Sequence, residues 1–185
     1  MTAVGASAPI VVMPHVIEAA SSGRAKCRAC QQKIAKGELR FGEKVPNPFG
    51  DGEATHYFHL LCAADRRPEA FRETLTTADL EVPERAELER VSQLGIDHPR
   101  LPRAARAERA SSGRAQCRHC REPIGKGELR IALEYTEEGM VSGGGFIHLG
   151  CTQDYFGTTQ LRARLERTSP KLEAADREEL GKVLT

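Results

Sequence analysis

Residues 21–30 read Ser21-Ser22-Gly23-Arg24-Ala25-Lys26-Cys27-Arg28-Ala29-Cys30, and residues 111–120 read Ser111-Ser112-Gly113-Arg114-Ala115-Gln116-Cys117-Arg118-His119-Cys120. The chain writes this stretch twice, ninety residues apart. Each copy continues into a matching tail, Ile34-x-Lys36-Gly37-Glu38-Leu39-Arg40 and Ile124-x-Lys126-Gly127-Glu128-Leu129-Arg130, and closes on a second half-motif, His59-x-x-Cys62 and His148-x-x-Cys151. A repeat at a fixed period implies two copies of one structural unit. With three cysteines and a histidine at matched places in each copy, the unit is a metal-binding module.

The six cysteines all fall inside the repeats, three in each. An odd number cannot be consumed by disulfides within one module, so a reduced, intracellular setting with metal binding fits better than a secreted scaffold. Both copies read C-x2-C, a gap of just under thirty residues, then H-x2-C. Cys27, Cys30, His59 and Cys62 form one donor set; Cys117, Cys120, His148 and Cys151 form the other. Three thiolates and an imidazole saturate tetrahedral zinc and leave no open position for substrate, which marks structural sites, two ions in all. Binding of the ion then becomes folding energy for the module. A haem attachment needs His directly after the second Cys, where Gln31 and Arg121 stand, and a zinc deaminase needs an H-x-E that is absent. Iron–sulfur ligation by the same donors stays open as the rival. His56 and His119 lie near the ligands but have no counterpart in the other copy, so they are read as exposed or supporting residues, as are His15 and His98.

A module of roughly fifty residues lies near the size at which a metal is commonly needed to complete the core. With only 5% aromatic residues and no Trp, this chain has few large groups to bury, which strengthens that need. The expected fold class is α+β: two small zinc-stabilised modules, each with short antiparallel strands plus a helix, joined by a helical, Pro-containing linker and followed by C-terminal helices. The expected division is a weakly attached leader 1–14, a first module 15–80, a helical segment and linker 81–104, a second module 105–157 and C-terminal helices 158–185. Strands are expected at 15–20, 39–42 and 55–58, and a short helix from Leu60 carrying Cys62. A further helix is expected around 83–91, with Gly95 as its stop, and then an extended linker from His98 to Arg103. The stretch from Tyr135 to Gly145 is expected as a loop. Helices are expected at 160–165 and 170–184, with Leu172, Ala175, Leu180 and Val183 packing back on the module. The leader lacks a basic start and is not read as a secretory signal, and no apolar run is long enough to span a membrane.

Net charge is only +1, but its distribution is uneven. Arg24, Lys26, Arg28, Lys33, Lys36, Arg40 and Lys44 crowd the first module, and Arg100, Arg103, Arg106 and Arg109 precede the second. A balanced total thus conceals two basic faces.

Ser-Gly-Arg-Ala before C-x-x-C, then I-x-K-x-x-L-R, a long loop and H-x-x-C together resemble the poly(ADP-ribose) polymerase-type zinc finger, found also in DNA ligase III and plant DNA 3′-phosphatases. The resemblance covers roughly 15–65 and 105–155. One departure is Tyr57-Phe58 and Phe146-Ile147 before the ligand His, where that family often has Trp-Tyr. The resemblance implies recognition of DNA strand breaks (nicks, gaps or ends), with Arg24, Arg40, Arg114 and Arg130 on backbone phosphates. Ser22 and Ser112 would add contacts, and Phe49, Met140 and Val141 would stack on an exposed base. Because 63–100 and 156–185 carry no nucleophile–base set and no phosphate-cradling Gly loop, the expected role is non-enzymatic DNA binding in repair, with no small-molecule substrate and no membrane. The alternative is an adaptor that docks a repair-protein partner through its fingers. Location is expected to be intracellular: cytoplasmic and nucleoid-associated in a bacterium, nuclear in a eukaryote.

Overall fold

A computed structural model describes residues 14–47, 50–137 and 140–185. Nearly all of the expected leader, and Phe49, lie outside the described residues. The architecture is α+β, with two three-stranded antiparallel sheets ordered β1-β2-β3 and β4-β5-β6.

In the first module β1 (Val16–Ala19), β2 (Leu39–Pro46) and β3 (Glu53–His59) align Ile17 with Phe41 and Phe41 with Phe58. These β-branched and aromatic residues suit a half-buried pleat. They bury with Ile34, and the partly covered Leu39 lies beside them. Helix α1 (Leu60–Arg66) starts on the residue after His59. It is followed by α2 (Pro68–Thr77) and α3 (Arg85–Asp97). Phe71 and Leu75, one helical turn apart, drop from α2 into the core, and Phe71 meets the Phe41 ring edge-on at 5.7 Å.

Gly95 was expected to stop a helix, and it does not. Helix α3 runs through it to Asp97 because the glycine serves a close crossing: a Cβ there would lie 2.9 Å from Pro68 Cγ. Nor is 98–103 an extended linker. After a turn at His98, a single 3-10 turn, Leu101–Arg103, buries Leu101 in the second core. Helix α3 itself serves both cores, with Leu88 and Val91 in the first and Leu94 against the second.

The second module repeats the plan with β4 (Ala104–Arg109), β5 (Leu129–Glu137) and β6 (Met140–His148). The expected loop 135–145 is therefore largely strand. A bulge interrupts the ladder between Leu133 and Glu134, and it falls on the glycine run. A Cβ on Gly144 would sit 2.5 Å from Tyr135 Cε2, while Gly145 takes φ +84°, a left-handed value that favours glycine. A 3-10 turn carries Cys151, and α4 (Thr152–Phe156), α5 (Arg162–Thr168) and α6 (Ala174–Val183) follow. Leu172 and Leu180 pack back as expected; Ala175 and Val183 face outward, and Leu165 and Leu184 fill the core instead.

The modules meet through buried polar contacts. Arg66 at the end of α1 donates to the Ala104 carbonyl at 3.0 Å and to Glu134 at 2.7 Å. Arg167 of α5 pairs with Asp65 of α1 across the same seam, while Arg164 of α5 donates to the Ala104 carbonyl at 2.7 Å from the second module's own side.

Candidate metal centres and nucleic-acid face

Each centre is assembled from the two halves of its motif. The first half is a tight turn in which the Cys27 N–H donates to the Gln32 carbonyl and the Gln31 N–H donates back to the Cys27 carbonyl. The second copy repeats it with Cys117, Glu122 and Arg121. The turn forces Gln31 and Arg121 to φ 62° and 70°, a left-handed conformation that costs a residue bearing a Cβ about 1 kcal/mol or more. The second half comes from the strand-to-helix junction, which delivers His59 at the end of β3 and Cys62 one turn into α1.

The four donor atoms of Cys27, Cys30, His59 and Cys62 lie within 4.8 Å of one another, as do those of Cys117, Cys120, His148 and Cys151. Tetrahedral zinc with Zn–S near ~2.3 Å places its ligand atoms roughly 3.5–3.8 Å apart. The His59 Nδ1 is 3.4 Å from Cys30 Sγ and the His148 Nδ1 is 3.3 Å from Cys120 Sγ, close to that spacing. On the far side of each ring, Nε2 faces a backbone carbonyl, Lys33 O at 3.3 Å and Pro123 O at 3.1 Å. Such a contact fixes the tautomer and leaves Nδ1 free to bind a metal.

Thiol acidity supports the same reading. Hydrogen bonding from Cys62, and next from His59, outweighs burial and holds Cys27 down at about 3. Its hydrogen bond with Cys27, together with burial, pushes Cys62 far above the ordinary thiol range. In the second centre burial raises Cys117, but hydrogen bonds led by the His148 backbone bring it down to about 6. Burial, then contact with Cys117, drives Cys151 up to about 12. A divalent ion held among the sulfurs would favour the thiolate form of each cysteine. The donor set fits zinc. The first centre is the better shielded, with all three cysteines buried, whereas Cys120 is exposed and Cys151 half-buried.

Around these centres the arginines divide. Arg24 and Arg114 are exposed and have no carboxylate partner among the described residues, and Ser22 and Ser112 are half-buried beside them. Lys26, Lys33 and Lys36 of the first module, and Arg121 and Lys126 of the second, are exposed as well. Arg40 and Arg130 are instead buried. Arg40 donates to Glu18 at 2.6 Å and lies 3.6 Å over the Tyr57 ring. Arg130 donates to Glu108 at 2.6 Å and lies 3.4 Å over Phe146. Both bridge neighbouring strands, a use the expectation of phosphate contact did not include. The signal was present in the chain, since Glu18 and Glu108 each stand three residues before the Ser-Ser-Gly and an aromatic stands two before each ligand histidine.

Met140 and Val141, more than half exposed, open β6 and face outward. Arg28, counted in the sequence only as part of a basic face, contacts His56 Nε2 through Nη2 at 2.8 Å, and Arg118, which sequence reasoning missed, donates to the Gly144 carbonyl at 3.0 Å. His119 is 3.8 Å from Asp154 and takes no part in the donor set.

Comparison with known proteins agrees with this geometry. Residues 18–98 match the family model described as the poly(ADP-ribose) polymerase and DNA-ligase Zn-finger region. A poly [ADP-ribose] polymerase of Drosophila melanogaster is 30% identical over 159 residues, covering 76% of this chain and 16% of the relative. Poly [ADP-ribose] polymerase 1 of Gallus gallus is 29% identical over 140 residues, 64% of this chain and 13% of the relative. That of Caenorhabditis elegans is 40% identical over 50 residues, 27% of this chain and 5% of the relative. The chain thus spans about a sixth or less of the length of these relatives. The match to residues 18–98 already includes α2 and α3. Residues 18–98 thus belong to the poly(ADP-ribose) polymerase-type zinc-finger family, and a second Cys3His module is built to the same plan.

Proposed function

We propose that this protein binds DNA strand breaks through two zinc-filled fingers and acts by binding rather than by catalysis. The observation that carries the reading is the recurrence of Arg24 and Arg114. Each is exposed, free of carboxylates among the described residues, and fixed three residues before the first cysteine of its centre. Phosphate contacts from such cations are independent of base sequence and weaken with salt. Met140 and Val141 add an apolar tip suited to the base face that a break exposes. A saturated Cys3His centre has no open position at which to activate water or substrate, which supports a structural role for zinc. The basic faces and reduced cysteines fit an intracellular setting beside DNA.

The test is DNA affinity after Arg24→Ala and Arg114→Ala, each with zinc content and circular dichroism recorded. Each is expected to weaken binding of a nicked duplex by about 1–2 kcal/mol and to lower the salt slope by about one phosphate contact, with zinc and fold intact. Unchanged affinity in both would overturn the reading in favour of a protein partner docking on the fingers.

A further inference from the structure

Between the fingers lies a cleft of about 620 Å³ that neither finger forms alone. One wall is the first finger's metal knuckle, Arg28 to Gln31; the other is strand β4 with Lys171 and, from β6, Val141. We propose that this cleft holds a single-stranded nucleic-acid tail leaving the break. The inference rests on the DNA-binding reading above and adds to it a site made of both fingers.

Charge decides the occupant. The cleft carries Arg28, Arg106 and Lys171 against Glu108 and Glu134. Both carboxylates are already engaged, Glu108 by Arg130 and Arg106, Glu134 by Arg66 and Arg106. Among the described residues neither Arg28 nor Lys171 has a carboxylate partner; the Arg28 guanidinium contacts the His56 ring nitrogen. The free charge is therefore positive, as a phosphate chain requires. Val141 offers an apolar surface on the same wall, and unstacked bases need such a surface. The tempting alternative, a peptide adding as a strand to the β4 edge, finds a donor of that edge taken, because the Ala107 N–H already donates to Ser169 Oγ at 2.8 Å.

The cleft also persists without ligand. Its two walls are tied by Arg66 to Ala104 and Glu134, and by Arg167 to Asp65. A site whose walls are already fixed loses little ordering entropy on binding. Duplex DNA carries its bases stacked and inward, so only an unpaired strand presents both phosphates and base faces to a groove of this kind.

The experiment compares the full zinc-loaded chain on a nicked duplex with and without a six-nucleotide single-stranded tail, by anisotropy. The tail is expected to tighten binding about five-fold or more, through phosphate contacts to Arg28 and Lys171. Arg28→Gln with Lys171→Gln is expected to abolish that gain and lower the salt slope on tailed DNA by about one to two, and Lys171→Gln alone is expected to leave untailed affinity within about two-fold. Should Arg28→Gln disturb its neighbouring metal centre, Lys171→Gln alone is expected to lose part of the gain. No gain from the tail, or a gain that survives both substitutions while nick binding stands, overturns the cleft site alone. Failure to bind any DNA overturns the DNA reading and the cleft with it.

Discussion

Arg24 and Arg40 have the same charge and flank the same metal centre, yet the fold treats them oppositely. Arg40 stacks on Tyr57 and pairs with Glu18, so its charge is consumed inside the sheet. Arg24 stands in water without a carboxylate. Arg40→Ala is therefore expected to cost about 1–3 kcal/mol of stability, through lost stacking and a stranded Glu18, read as a lowered thermal midpoint. Arg24→Ala should leave that midpoint unchanged. Equal stability of both variants would contradict the division. At this scale the grouping of each Cys3His donor set was legible from spacing, because a metal demands fixed donors at fixed intervals. The fate of Arg40 was not, since it depends on Glu18 lying across the β1–β2 pairing, a neighbour in space and not in sequence.

Among the elements, the strands of the first sheet and α1 were legible from β-branched and aromatic runs and from the position of Cys62 beyond His59. Helix α2 was missed although Pro68 at its start, Glu69 in the first turn and Phe71 with Leu75 one turn apart all mark it. The β5–β6 hairpin was mistaken for a loop because Gly143, Gly144 and Gly145 read as turn residues. They are instead what lets a bulged strand pass under Tyr135. Gly144→Ala must push that ring or Leu133 aside and is expected to destabilise the second finger by about 1–3 kcal/mol. Hydrogen exchange would locate the loss in β5 and β6; a variant as stable as the parent would show that the ring yields at no cost. Gly95 taught the same lesson, since only the tertiary crossing with Pro68 explains a helix that continues through it.

Across the whole molecule, the tandem arrangement followed from the repeat, but the docking of the fingers did not. Nothing in the local sequence marks Arg66, Arg164 and Arg167, whereas the fold gathers them at one interface. The two centres also differ in exposure, and exposed thiolates react and exchange first. Titration with a chelator or thiol reagent is expected to release one zinc early, with Cys120 modified first, and the second only as the first finger unfolds. Simultaneous release of both ions would contradict the difference in shielding, and a thermal transition indifferent to chelation would contradict structural zinc altogether.

The most direct test of the central claim is anisotropy of the zinc-loaded protein on one duplex sequence, intact and singly nicked, at two salt concentrations. Break recognition by phosphates and an exposed base face predicts tighter binding to the nicked duplex, weakening as salt rises. Equal affinity for both duplexes, or binding to neither, would contradict it.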